Sequence, residues 1–222
     1  MTERCALYFA PQPDSPLAAF AAAWFGRGDN REITASPRHY GFHATLKPPF
    51  RFAAGTDIAG LQESLRAFAA EQPPVALGPV TVDNLSGFLA LVPLSPPPDL
   101  ERLAEACVAR FDSFRAAPGE AELARRRSKG LSPRQEELLS LWGYPYVFDQ
   151  FRWHMTLTAK LPDAERDRWH AELRRLAAPA LQDPLAIDSL SIFRQPAADR
   201  PFAEIDRVSL TGTRQVQTAV SA

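Results

Sequence analysis

Two short segments of this chain repeat one pattern: YGFHATLKPPF at 40–50 and FRWHMTLTAKL at 151–161. Each sets an aromatic residue before a histidine, a threonine two places after it and a leucine next. His43 and His154 lie 111 positions apart, and VALGPVTV at 75–82 aligns without a gap to LAIDSLSI at 185–192, an offset of 110. With four histidines in the chain, two His-x-Thr pairs would arise by chance about once in a hundred such sequences, so chance is set aside. In both halves a His-x-Thr strand, a helix and paired strands follow in one order. The chain is therefore expected to form a single bilobal domain over 1–222. Its internal repeat spans roughly 38–94 and 146–212, with a helical insertion near 117–145, and the two lobes are related units rather than turns of a solenoid.

The elements between the motifs follow from apolar spacing and from proline and glycine. CALYFAP (5–11) reads as a strand ended by proline, and Ser15-Pro16 as the cap and first turn of an Ala-rich helix to Phe25. Residues 40–47 read as a strand whose ladder ends at Pro48-Pro49. Ile58, Leu61, Leu65 and Phe68 line one face of a helix over 57–72, and a strongly amphipathic helix runs from Pro98 to about Arg115. Residues 75–82 and 87–94 make a hairpin through Asp83-Asn84. A short helix ends in ARRRSKG (124–130), and another starts at Ser132-Pro133 with Gln135 placed for a capping box and Gly143 placed to end it. Asp163 can cap a helix to about Ala177, and strands follow at 185–193 and 202–212. After about Gln215 the chain is expected to fray.

Composition narrows the class. A length of 222 residues suits two half-size lobes sharing a core. A formal net charge of −1 offers no global attraction to nucleic acid or to a membrane. Cys5 and Cys107 sit in no metal-ligand spacing and read as two reduced, buried thiols. The apolar run 17–25 lacks a basic flank before it and is too short to span a bilayer, so a soluble cytoplasmic protein is expected.

In a strand, residues two apart share a face. His43 and Thr45 should project together, as should His154 and Thr156, while Phe42, Ala44 and Leu46 turn to the core like Trp153, Met155 and Leu157. Two imidazoles and two hydroxyls on one cleft suit phosphoester cleavage. One ring takes a proton from the nucleophile and the other protonates the leaving oxygen, which a side chain with an ordinary pKa near 6.5 can do from either state. The hydroxyls can donate to non-bridging phosphate oxygens. No carboxylate–histidine cluster stands out, so neither a metal nor another cofactor is expected.

HATL (43–46) and HMTL (154–157) resemble the signature of the two-histidine phosphoesterase superfamily, which includes bacterial 2′–5′ RNA ligase-like proteins and cyclic nucleotide phosphodiesterases. YGFHATLKPPF and WGYPYVFDQFRWHMTLT look like its branch of undetermined function encoded beside phosphonate-utilisation genes. The resemblance implies an α+β fold of two pseudo-twofold-related lobes, each a mostly antiparallel sheet with helices outside, around a central cleft. It implies metal-independent cleavage of a cyclic phosphate or of a 2′–5′ or 2′,3′-cyclic nucleotide-type ester. His43, Thr45, His154 and Thr156 are the catalytic residues it carries over. Which histidine is base and which acid stays open. The partner implied is a small phosphorylated or cyclic-phosphate substrate, with RNA ends the second choice; the rival reading is a binding protein that holds a nucleotide or phospho-ligand without turning it over.

Secondary candidates flank the motifs. Tyr8, Tyr40, Lys47 and Arg152 are the substrate-binding candidates, with Arg38 and His39 behind them. The basic run Arg125-Arg126-Arg127-Ser128-Lys129 reads first as a solvated helix end that favours the local dipole, and second as a lid gripping an anion. His170, between Arg168 and Glu172, reads as a surface residue. The oligomeric state is left open.

Overall fold

The structure, a computed structural model, describes residues 3–128 and 130–213. Lys129 and the tail expected to fray lie outside the described residues. Strand β1 (Arg4–Phe9) leads to helix α1 (Pro16–Gly26), which is capped by the Ser15 side chain. Helix α2 (Arg31–Tyr40) comes next and was not legible as a helix, because it carries Pro37 inside it. Strand β2 (Ala44–Phe50) then runs through Pro48-Pro49 rather than stopping there. The irregular register of β1 against β2, shifted on both sides of Leu7, explains how a proline pair without N–H donors is accommodated.

Helix α3 (Ile58–Glu71) is capped by Asp57 and precedes β3 (Val75–Gly78), β4 (Val80–Leu85) and β5 (Phe88–Pro93). Helix α4 (Pro98–Arg110) ends five residues earlier than its pattern promised, giving way to a 3-10 turn over 112–114. Helices α5 (Glu120–Arg127) and α6 (Pro133–Trp142) follow. The second of these has the Ser132–Gln135 capping box and ends at Gly143, whose φ of 71° is the left-handed conformation glycine adopts without strain. Strand β6 (Met155–Thr156) is only two residues long. Helix α7 (Asp163–Ala177) begins after Pro162 without a side-chain cap, so Asp163 is its first residue and not its cap. Strands β7 (Leu185–Ile187), β8 (Ser189–Gln195) and β9 (Ala203–Ser209) close the chain.

The architecture is α+β with a large antiparallel sheet in the order β4-β5-β6-β2-β1-β8-β9. Each hairpin pairs with a strand of the other half, β6 in one case and β1, the neighbour of β2, in the other. The β4–β5 hairpin extends β6, and the β8–β9 hairpin extends β1 and β2. The two aligned stretches each split: β3 and β7 leave the large sheet to pair with each other, Ala76 opposite Ala186. In the large sheet Ala44 lies opposite Met155, its counterpart in the other motif. At both junctions the paired residues hold matching places in the aligned segments.

One face of the large sheet is the core. Leu7, Phe9, Leu46, Leu89, Leu91, Leu157 and Ile192 bury against Trp24, Leu65, Leu103 and Leu173 of α1, α3, α4 and α7. Cys5 and Cys107 belong to this core as free thiols, and burial pushes both up to about 12. His170 is half-buried, not a surface residue, and reaches the Val82 carbonyl of β4 from α7. Among the described residues no helix is long and apolar enough to cross a membrane. The other face of the sheet, uncovered by these helices, carries the candidate site.

Candidate active site

The register of β2 against β6 assembles the motifs. Ala44 lies opposite Met155, so His43, Thr45, His154 and Thr156 all flank this one cross-strand pair. The alanine and methionine between them point into the core, where both are fully buried. His43, Thr45 and Thr156 open on the face away from the helices, and His154 meets Phe88 there.

Both imidazoles are oriented alike. His43 Nδ1 lies 2.9 Å from the Gly41 carbonyl, and His154 Nδ1 lies 2.7 Å from the Arg152 carbonyl. A carbonyl only accepts, so each Nδ1 carries the proton and donates it, leaving Nε2 as the free basic nitrogen. His43 Nε2 takes a hydrogen bond from the Thr45 hydroxyl at 3.2 Å. Gly41 has φ of 77°, so the residue that aims this carbonyl needs glycine's freedom.

The two rings differ in surroundings. Tyr8 stacks on His43 with centroids 3.6 Å apart and planes 15° from parallel, whereas Phe88 meets His154 at 5.7 Å and a tilt of 56°. Desolvation, aided by the charge of His154 and opposed by the Gly41 hydrogen bond, pulls His43 down from 6.5 to about 4. His154 is also lowered by desolvation, against the opposing Arg152 hydrogen bond. Folding thus favours neutral His43, while the unfolded chain takes up a proton below pH 6.5. Stability should fall as pH drops from 6.5 towards 4, by about 2 kcal/mol at pH ~5 relative to pH ~7.5. Urea midpoints at the two pH values measure this, and His43→Gln should remove most of the difference.

His43, Thr45 and Thr156 line a cavity of about 590 Å³, and His154 borders it against the lining residue Phe88. Tyr8 and Tyr40 line it as well. Lys47 does not. It is 1% exposed and sits on the helix side of the sheet, where Nζ donates to the Val108 carbonyl at 3.0 Å and pairs with Asp112 at 3.2 Å. The irregular β1–β2 register breaks the alternation that would have carried it to the His43 face. Arg152 is also elsewhere: exposed, in a groove with Asp83, Glu101 and Trp153. Residues 151–154 are not strand, so the parity of β6 does not extend back to it. Arg38 turns to Thr34, Asn30 and the Arg27 carbonyl, and His39 meets Gln195.

The basic run is more than a solvated helix end, because Arg125 and Arg126 of α5 line the cavity. Arg126 is anchored by Glu122 at 2.7 Å and lies 4.8 Å over the Tyr144 ring. Arg127 turns outward to Glu136. Sequence reasoning also missed Arg4, Lys160, Tyr144 and Tyr146, all in the lining. One signal was present, since the chain has four tyrosines and every one of them lines this cavity. Among the described residues no group of three or more His, Cys, Asp or Glu is arranged to hold a metal ion.

The α+β fold is shared with TT0787 of Thermus thermophilus, at 14% identity over 95% of this chain and 100% of that one, with a TM-score of 0.50. The structure of E. coli LigT complexed with 3′-AMP gives 15% identity, 95% and 99% coverage and a TM-score of 0.48. In sequence the chain is 42% identical over 232 residues to a Janthinobacterium sp. (strain Marseille) protein named ribose 1,5-bisphosphate phosphokinase PhnN, covering 94% of this chain and 51% of that one. The chain spans about half the length of the curated relatives it matches. A family model described as "Protein of unknown function (DUF1045)" matches residues 45–203, taking in Thr45 and the whole second motif, and on that match across most of its length the chain belongs to the DUF1045 family.

Proposed function

We propose that the protein is a phosphodiesterase that opens a cyclic phosphate, or a 2′–5′ or 2′,3′-cyclic nucleotide-type ester, by acid–base catalysis from its two histidines. One observation carries the reading. Two imidazoles, each with Nδ1–H tied to a backbone carbonyl, stand across the Ala44–Met155 junction beside a cation-lined cavity. His43, the more strongly desolvated ring, acts as base and His154 as acid. Water attacks phosphorus as His43 Nε2 takes its proton. The bond from phosphorus to the leaving oxygen breaks, and protonated His154 delivers Nε2–H to that oxygen. One water is added, and the two rings have exchanged protonation states, which solvent resets. Thr45 and Thr156 donate to the non-bridging oxygens, where charge builds in the transition state. No step calls on a metal or other cofactor.

The same reading takes the halves, roughly 38–94 and 146–212, as an internal repeat within one bilobal unit, with the insertion near 117–145 roofing the cavity. The name PhnN and the ribose bisphosphate in the relatives' name support a phosphorylated sugar in phosphonate metabolism, ahead of RNA ends, as the substrate class.

The pH dependence tests the reading. In the free enzyme one histidine titrates near 4 and the other below 6.5, so kcat/KM should be bell-shaped with its maximum on the acid side of pH 6.5. Activity should persist in chelator. Binding without turnover of any cyclic or 2′–5′ phosphodiester would leave the phospho-ligand binding protein as the answer.

A further inference from the structure

The cavity holds more positive charge than one phosphodiester can use. Building on the phosphodiesterase reading, we propose that the substrate carries a separate phosphomonoester, held by Arg125 and Arg126 of α5 together with tyrosine hydroxyls. Among the described residues four cations line the cavity, Arg4, Arg125, Arg126 and Lys160, and no Asp or Glu does. The chain as a whole has 26 acidic residues against 25 lysines and arginines, so this is local segregation of charge. A cyclic phosphodiester bears a single negative charge, and the histidine–threonine floor already supplies donors to it. A phosphomonoester adds close to two charges and three strong acceptors.

The cations are largely uncommitted. The side chains of Arg125 and Lys160 have no hydrogen bond or ion pair among the described residues. Arg4 is steadied by the neutral Gln195 amide oxygen at 2.8 Å, which leaves its charge uncancelled. Arg126 does have a carboxylate, Glu122, but its Nε is buried without a partner. Held by Glu122 below and Tyr144 against its face, it offers a fixed donor rather than a mobile one.

The tyrosines point to the same ligand. None of the four hydroxyls has a hydrogen-bond partner among the described residues, and Tyr8 is only 1% exposed. Three of the four have a ring face taken, Tyr8 by His43, Tyr40 by Phe202 at 5.5 Å and Tyr144 by Arg126, and Tyr146 meets the Tyr144 ring in an edge contact at 5.6 Å. Edges with phenolic donors remain, which suit phosphate and sugar oxygens rather than a stacked nucleobase. A volume of about 590 Å³ accommodates a phosphorylated sugar ester whole.

The probes are methyl riboside 2,3-cyclic phosphate and its 5-phosphate, titrated calorimetrically into the wild-type protein and assayed for hydrolysis in parallel. With charge-assisted bonds at stake, the 5-phosphate should bind about 30-fold tighter, and the preference should drop below about threefold in Arg125→Gln/Arg126→Gln. Should the double variant lose its fold by circular dichroism, Arg125→Gln alone should lower the preference about tenfold. Equal binding of the two probes, no binding of either, or a preference that survives the glutamines overturns the subsite. A preserved preference with no hydrolysis of either probe sinks the phosphodiesterase reading and leaves the subsite standing.

Discussion

Alanine at His43 or at His154 should lower kcat for a cyclic phosphodiester by about 10³-fold, within the range that one positioned acid or base contributes. The mechanism uses both rings in one step, so removing the second should cost much less than removing the first, and the double variant should fall well short of the product of the singles. Thr45→Val should cost about tenfold, since one neutral hydrogen bond to the phosphate is lost. His170→Ala is the matching control. That imidazole joins α7 to the Val82 carbonyl on the helix-covered side of the sheet, and its loss should leave kcat within about twofold. Full activity in either His43→Ala or His154→Ala would refute the catalytic pairing, because neither the hydroxyls nor the cations can exchange a proton near neutral pH.

The second large effect is on stability, and it concerns Lys47. This ammonium is buried between β2 and α4, held by the Val108 carbonyl and by Asp112, which also receives Arg115 at 2.8 Å. Desolvation lowers its pKa, and Asp112 opposes that. Asp112→Ala removes the charge that compensates it and should destabilise the fold by about 3 kcal/mol, as breaking a buried pair does. Lys47→Met replaces the ion with an apolar chain of similar length and should change stability by no more than about 1 kcal/mol. The two variants together should recover most of the loss. Asp112→Ala should hurt less at alkaline pH, because a lysine with a lowered pKa sheds its proton there and is cheaper to bury. Equal urea midpoints for wild type and Asp112→Ala would show that the carbonyl alone suffices for Lys47.

Most local signals were read well, Asp163 being the exception, since α7 starts on it rather than being capped by it. Ser15 caps its helix, Ser132 and Gln135 close a capping box, and Gly143 ends α6 in the left-handed conformation, each as its position dictates. The helix α2 escaped because Pro37 normally ends a helix. Lys47 and Arg152 were misplaced for one reason: alternation was carried past a β-bulge in one case and past the end of a two-residue strand in the other. Period-two reasoning holds only while the ladder is regular. The arginines of α5 could not be assigned from their run, since a charged helix end looks the same whether it faces water or a cavity.

The spacing of His43 with Thr45, and of His154 with Thr156, was set by sequence alone: residues two apart on a strand share a face, and an apolar residue between them turns that face from the core. Everything that makes the two motifs unequal came from the tertiary structure. The strand order of the large sheet sets β1 beside β2 and β5 beside β6. That puts Tyr8 flat on one imidazole and Phe88 aslant the other, so two near-identical tetrapeptides meet different solvation. A pKa answers to surroundings far away in the chain, and no motif encodes those.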